Sequence, residues 1–245
     1  MAKVTLENLN KIFVSKIGKD VKAVNDFNLL LEDGEILALL GSSGCGKTTT
    51  LRMIAGFETA TSGQIKIGER IVNDLKPADR NVAMAFEGYA LYPPLTVKDN
   101  IAFSLMREKI SKDKVDSKVM EVAELLEITD ILERYPPSIS GGQQQRVSLA
   151  RALVRDSDAL LLDEPMSQLE PQLRAVLRAR VKDYIQHNNK TVIFVTHDQT
   201  EAVALADKIA VMENGDLKQL ASPYEISAKP SNVFVCLLYT SPSPR

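Results

Sequence analysis

Tryptophan is absent from these 245 residues, aromatic residues make up 5%, and cysteine and histidine occur twice each. Two cysteines, Cys45 and Cys236, cannot build the disulfide framework of a small secreted domain, which suits a reducing compartment. No apolar run approaches the ~20 residues that cross a bilayer, and the opening stretch MAKVTLENLN has no apolar signal region. Work at a membrane is therefore expected only as a peripheral subunit. The formal net charge is −2, so no global field draws the chain to nucleic acid or to an acidic membrane. Internal repeats and low-complexity linkers are missing too.

What remains is an ordinary globular composition, 44% hydrophobic and 25% charged. Its length suffices for one large domain or two small ones with a substantial core. One segment is set apart. The final ten residues, CLLYTSPSPR (236–245), match codon for codon the transposon-end adaptor of sequencing libraries. They are read as a non-native tail and set aside from fold reasoning, with the native chain expected to run on beyond Val235.

Apolar patterning gives the organisation. KVTLENL (3–9) and VKAVNDFNLLL (21–31) alternate like antiparallel strands. EILALL (35–40), VAMAFE (82–87), ALLLDEP (159–165) and TVIFVTHD (191–198) have apolar cores that read as buried strands. QIKIGERIV (64–72) and the stretch around Asn214-Gly215 read as hairpins. From Thr96 to Arg155 the period turns helical, with Val115, Val119, Val122 and Leu126 on one face. Leu169, Leu173, Val176, Leu177, Tyr184 and Ile185 mark a long amphipathic helix. Strands alternating with helices predict an α/β fold with a parallel-sheet core at about 1–87 and 157–235. An antiparallel β layer and a helical subdomain inserted at about 88–156 complete the expected domain.

GSSGCGKTTT (41–50) follows a buried strand and opens a helix. Gly41, Gly44, Gly46, Lys47 and Thr48 satisfy the spacing G-x-x-x-x-G-K-[ST], which arises by chance in about 1% of chains of this length. Glycines let successive N–H groups of the loop, Ser42, Ser43 and Cys45 included, turn inward on phosphate oxygens. The helix start adds its dipole. Lys47 would reach the outer phosphates and Thr48 would ligate Mg²⁺, with Thr49 alongside. The loop alone does not separate an ATPase from a GTPase or a kinase. Cys45, at a helix start, is either a tolerated small residue or a thiol whose alkylation would block nucleotide binding.

SISGGQQQRVSLARAL (138–153) offers a second anion-binding edge, with a serine and two glycines before a helix. Here the chain resembles the ATP-binding cassette (ABC) ATPases, whose signature is L-S-G-G-Q, with Ile139 in place of the leucine. The resemblance covers residues 3–235 and implies a P-loop NTPase (RecA-like) parallel-sheet core. It implies ATP and Mg²⁺ as cofactors and makes Ser140, Gly141, Gly142 and Gln143 contacts to a partner subunit's ATP. ALLLDEP resembles the Walker B strand, implying Asp163 as a metal residue and Glu164 as the general base. His197 resembles the switch histidine, Phe13 the aromatic that stacks on adenine, and SQLEP the D-loop, with Ser167 and Glu170. His187 reads as an exposed helix-end residue.

AFEGYALYPPLTVKDNIAF (85–103) and VTHDQTEAVALADKIAVMENG (195–215) resemble cassettes of bacterial importers for sugars, polyols and glycerol phosphate. That implies an ATPase powering import, peripheral on the cytoplasmic face of the inner membrane. Its partners would be a second ABC ATPase subunit, two transmembrane permease subunits and, indirectly, an extracytoplasmic solute-binding protein, with no nucleic acid. Cassettes of that group carry a C-terminal regulatory β-barrel domain, which has no counterpart here. Two positions depart from the family. Glu87 stands where it has glutamine, a catalytic and metal-contacting position, and Glu170 stands where it has aspartate. These changes suggest one half of a heterodimer with unequal ATP sites. A non-transport ABC ATPase, or a regulatory partner that holds ATP with weak hydrolysis, remains open at this stage.

Overall fold

A computed structural model describes residues 2–15, 18–106 and 110–240. One ten-stranded sheet organises them. Its parallel part is built from β3 (Ile36–Gly41), β6 (Val82–Ala85), β7 (Ala159–Asp163), β8 (Val192–Thr196) and β9 (Lys208–Glu213). These lie in the order β9-β3-β8-β7-β6, all pairs parallel. The antiparallel part is β1 (Val4–Phe13), β2 (Val21–Leu31), β4 (Ser62–Ile67) and the two-residue β5 (Arg70–Ile71). β10 (Asp216–Ala221) joins the two, pairing antiparallel with β9 and parallel with β2.

The apolar runs are buried on both faces because two cores flank the parallel strands. Ile36, Ala38 and Leu40 of β3 face one core, and Leu37 and Leu39 face the other. Leu160 and Leu162 part from Ala159 and Leu161 in the same way. One core lies between the parallel strands and the antiparallel layer and takes up α1 (Lys47–Ala55). The other is closed by α2 (Val97–Phe103), α3 (Lys112–Leu125), α4 (Gly141–Leu153) and α5 (Pro171–His187). The first three of these helices all fall between β6 and β7. α6 (Gln199–Leu205) follows β8, and α7 (Pro223–Ala228) follows β10.

Three elements differ from the patterning. The strand read as 82–87 ends at Ala85, because the chain leaves the sheet at Phe86 to carry Glu87 outward. Val176, read on the apolar stripe of the long helix, is 47% exposed; that stripe needs only Leu177, Val181 and Ile185 to reach the core. Finally, Cys236–Thr240 continue a last helix, α8 (Val233–Thr240), rather than standing apart. Asn232 accepts from the Val235 N–H at 2.9 Å, and Val235 is fully buried. Phe234 and Leu238 pack against the same core, while Val233 and Leu237 are exposed. Residues 241–245 lie outside the described residues.

Candidate functional site

The phosphate-type loop is shaped by its neighbours. β3 ends at Gly41 against β9, so closely that a Cβ there would sit 2.2 Å from the Met212 carbonyl oxygen. Gly46, at the start of α1, has φ +106° and sits under the Ala23 carbonyl. Lys47 is buried and folded over the loop, its Nζ donating to the carbonyls of Gly41 (2.9 Å) and Ser42 (2.8 Å). The loop thus holds its cation over the concave side of its own backbone. The Cys45 side chain is 2% exposed and belongs to the core, with its Sγ accepting from the same Lys47 Nζ at 3.7 Å.

A cavity of about 310 Å³ opens on this loop. Ser43, Gly44, Gly46, Lys47, Thr48 and Thr49 line one side, and Glu87, Glu164 and His197 the other. Four strand ends, those of β3, β6, β7 and β8, therefore deliver to one place residues separated by more than a hundred positions. Thr48 Oγ1 donates to Asp163 Oδ1 at 3.0 Å. The Asp163 carboxyl is pushed above its usual range, chiefly by burial and further by Glu87 and Glu164, while the Thr48 bond opposes. His197 Nδ1 and Glu164 Oε1 are 3.0 Å apart. Glu164 has φ +47°, a backbone state that costs a non-glycine residue on the order of 1 kcal/mol or more. Hydroxyl, carboxylates, imidazole, ammonium and loop N–H groups in one cavity suit the hydrolysis of a phosphoanhydride.

Not every expected residue comes here. Phe13, at the end of β1, is 40% exposed, lies under Lys11 Nζ at 4.8 Å, and does not line the cavity. Ser140, Gly142 and Gln143 line a different depression of about 330 Å³, with Gln168 and Glu170. Ser140 and Gln143 form a reciprocal cap on α4: Ser140 N donates to Gln143 Oε1 at 2.9 Å, and Ser140 Oγ accepts from Gln143 N at 3.3 Å. Gly141 sits beside the Tyr89 hydroxyl. Ser167 donates to the Glu164 carbonyl at 3.3 Å.

Sequence reading missed Gln145. It is 3% exposed and donates Nε2 to the Glu164 carbonyl (2.9 Å) and to Ser167 Oγ (3.2 Å), while Oε1 accepts from Gln168 N (2.9 Å). It holds up the turn that carries Glu164. The signal was its place four residues before Leu149, on the buried face of α4. Arg151 was missed as well; it ties α4 to the segment after Glu87, donating to the Ala90 carbonyl at 2.6 Å and stacking on Tyr92.

Residues 24–167 match the family model described as ABC transporter. This chain belongs to the ABC transporter family. The cassette is 48% identical to the trehalose/maltose import ATP-binding protein MalK of Thermococcus litoralis, over 99% of this chain and 65% of that protein. It is 43% identical to the sn-glycerol-3-phosphate import ATP-binding protein UgpC of Brucella abortus, over 99% of this chain and 68% of that protein. The chain thus spans about two thirds of the length of these relatives. Among solved structures, it is similar to the dimeric ATP-binding cassette MJ0796 bound to ADP and Pi. The TM-score is 0.82 at 27% identity, covering 90% of this chain and 98% of that one. The cassette therefore has the P-loop α/β fold of that family, and among its described residues no helix is long and apolar enough to cross a membrane.

Proposed function

We propose that this chain is the ATP-binding and hydrolysing subunit of an ABC importer for a sugar, polyol, glycerol phosphate or related small polar solute. The observation that carries the reading is the single cavity joining the phosphate loop to Glu87, Glu164 and His197. The import ATP-binding relatives supply the direction and solute class.

In this reading the N–H groups from Ser42 to Thr49 and the Lys47 ammonium bind the phosphates of ATP. Thr48 and Asp163, with Glu87 at the rim, fit a divalent cation. The Thr48 hydroxyl and Asp163 carboxylate, 3.0 Å apart, are hard oxygens that suit a Mg²⁺-sized ion whose other ligands would be phosphate and water oxygens, with negative charge from Glu87 and Glu164 nearby. When bound, Mg²⁺ neutralises phosphate charge. Glu164 offers its Oε2 to a water molecule, because Oε1 faces His197. As the water oxygen bonds to the γ-phosphorus, its proton passes to Glu164 Oε2. The bond from the γ-phosphorus to the β–γ bridging oxygen breaks, and ADP and phosphate leave. His197 orients Glu164 and donates from its ring to the γ-phosphate. Phe13 stacks on the adenine.

The signature edge at Ser140–Gln143 opens on a separate depression, so it would meet the ATP of a second cassette, head to tail. The dimeric MJ0796 structure supports pairing. The 88–156 helical region would meet two permease subunits at the membrane's cytoplasmic face, with a solute-binding protein beyond. Glu87 and Glu170 support a heterodimer with a second, more regular cassette.

The test is the solution mass of Glu164→Gln by light scattering, with and without Mg-ATP. An ATP-dependent dimer supports pairing of this chain with itself. A monomer that binds ATP supports a partner cassette. Failure to bind ATP in either form overturns the assignment.

A further inference from the structure

One polar connection beneath the site is used by none of the roles above. Arg174 projects from the first turn of α5. Its Nη2 donates to the carbonyls of Ser167 (3.1 Å) and Leu169 (3.0 Å), gripping the turn that runs from Glu164 to Glu170. Its Nη1 lies 3.5 Å from Asp198 Oδ2. Asp198 follows His197 directly and divides its oxygens. Oδ1 caps α6, accepting from the N–H groups of Thr200 (2.8 Å) and Glu201 (3.3 Å). Oδ2 is left to face Arg174. The Asp198 N–H donates to Thr196 Oγ1 at 3.0 Å, fixing the turn from its other side.

We propose that Arg174 and Asp198 are a positioning pair that locks the 164–170 turn to the turn carrying His197. The 3.0 Å relation between Glu164 and His197 spans two separate loops. Neither loop holds the other through backbone bonds beyond the strand ends, where the last ladder contact is Glu164 N to the Val195 carbonyl. The guanidinium supplies the missing brace: it is planar, multidentate and partly buried, so it fixes direction as well as distance. Displacing the 164–170 turn, as a partner subunit at Glu170 would, then moves the His197 turn with it. The inference rests on the reading that Glu164 and His197 act on ATP.

The test uses Arg174→Met, Asp198→Asn and the double variant in the full chain. Asparagine keeps an oxygen for the α6 cap and removes the charge opposite Arg174. Each single variant is expected to lower kcat about ten- to a hundred-fold with the KM for ATP unchanged. The double variant should match the worse single within about two-fold. Hydrogen exchange is expected to quicken at residues 166–170 and 197–201 together in either single variant, with residues 42–50 unaffected. Additive losses of kcat, or exchange confined to the mutated turn, would overturn the pair. If the wild type neither binds nor hydrolyses ATP, the functional reading fails, and hydrogen exchange alone still decides the pairing. Should Arg174→Met not fold, Arg174→Lys serves: it reaches Asp198 but cannot span both carbonyls, so kcat should fall by less.

Discussion

Nδ1 of His197 lies 3.0 Å from Oε1 of Glu164, and each residue stands one position beyond the end of its strand. β7 and β8 are parallel neighbours in a register that sets Asp163 opposite Val195. The pair thus meets because two buried strands stop at the same height, which is how parallel sheets assemble sites at their carboxyl ends. His197→Ala should lower kcat about a hundred-fold. The side chain is 63% exposed, so the melting temperature should stay unchanged. Steady-state kinetics beside a thermal melt checks this; a lower melting temperature with unchanged kcat would assign the ring a structural role.

The two inner glycines of the loop should respond differently to alanine. Gly44 has φ +78° with nothing within 4 Å of a new Cβ, so Gly44→Ala carries backbone strain alone, about 1 kcal/mol. Gly46 has φ +106°, and a Cβ would lie 2.2 Å from the Ala23 carbonyl oxygen. Gly46→Ala should therefore cost more than about 3 kcal/mol, since the strand must shift as well. Urea denaturation midpoints of the two variants give the comparison; equal midpoints would show that the loop relaxes freely.

Glu87 adds a carboxylate to a cavity already lined by Glu164, with Asp163 bonded to the lining Thr48. Without a divalent ion this charge repels phosphates. Glu87→Gln should therefore tighten ATP binding measured in a chelator, and should gain less in Mg²⁺. Equilibrium titration with a fluorescent nucleotide checks this. Equal affinities in chelator would mean that Glu87 turns away from the phosphates.

Glu201 predicts a pH dependence. Its carboxyl is raised above 4.5 by burial, with Asp198 adding to the effect and Thr196, Arg178 and Arg174 opposing. A carboxyl raised on folding stabilises the fold fully below its unfolded value and loses that contribution as pH rises through the folded value. Glu201→Gln keeps an acceptor for Thr196 and removes the titration. The wild type should compare best with this variant below about pH 4.5 and fall behind as the pH rises through the folded value. Melting curves across that range test the sign, and a constant difference would refute it.

Much of the architecture was legible because its signals are local. A run such as ILALLG is apolar enough to need cover on both faces, and the glycine spacing of 41–48 constrains the backbone by itself. Val176 was misjudged for the complementary reason: whether an apolar residue is covered depends on what packs there, and pattern cannot supply that.

The sequence by itself determined the parallel core and the glycine spacing of the phosphate loop. In each, residue type and immediate neighbours carry the constraint. The tertiary structure alone decided that Glu87, Glu164 and His197 share one cavity while Ser140–Gln143 open on another. It alone showed that Gln145 and Arg174 brace the turn between them. Those relations join residues far apart in the chain through the register of neighbouring strands and the reach of buried polar side chains, and local pattern does not name the partners.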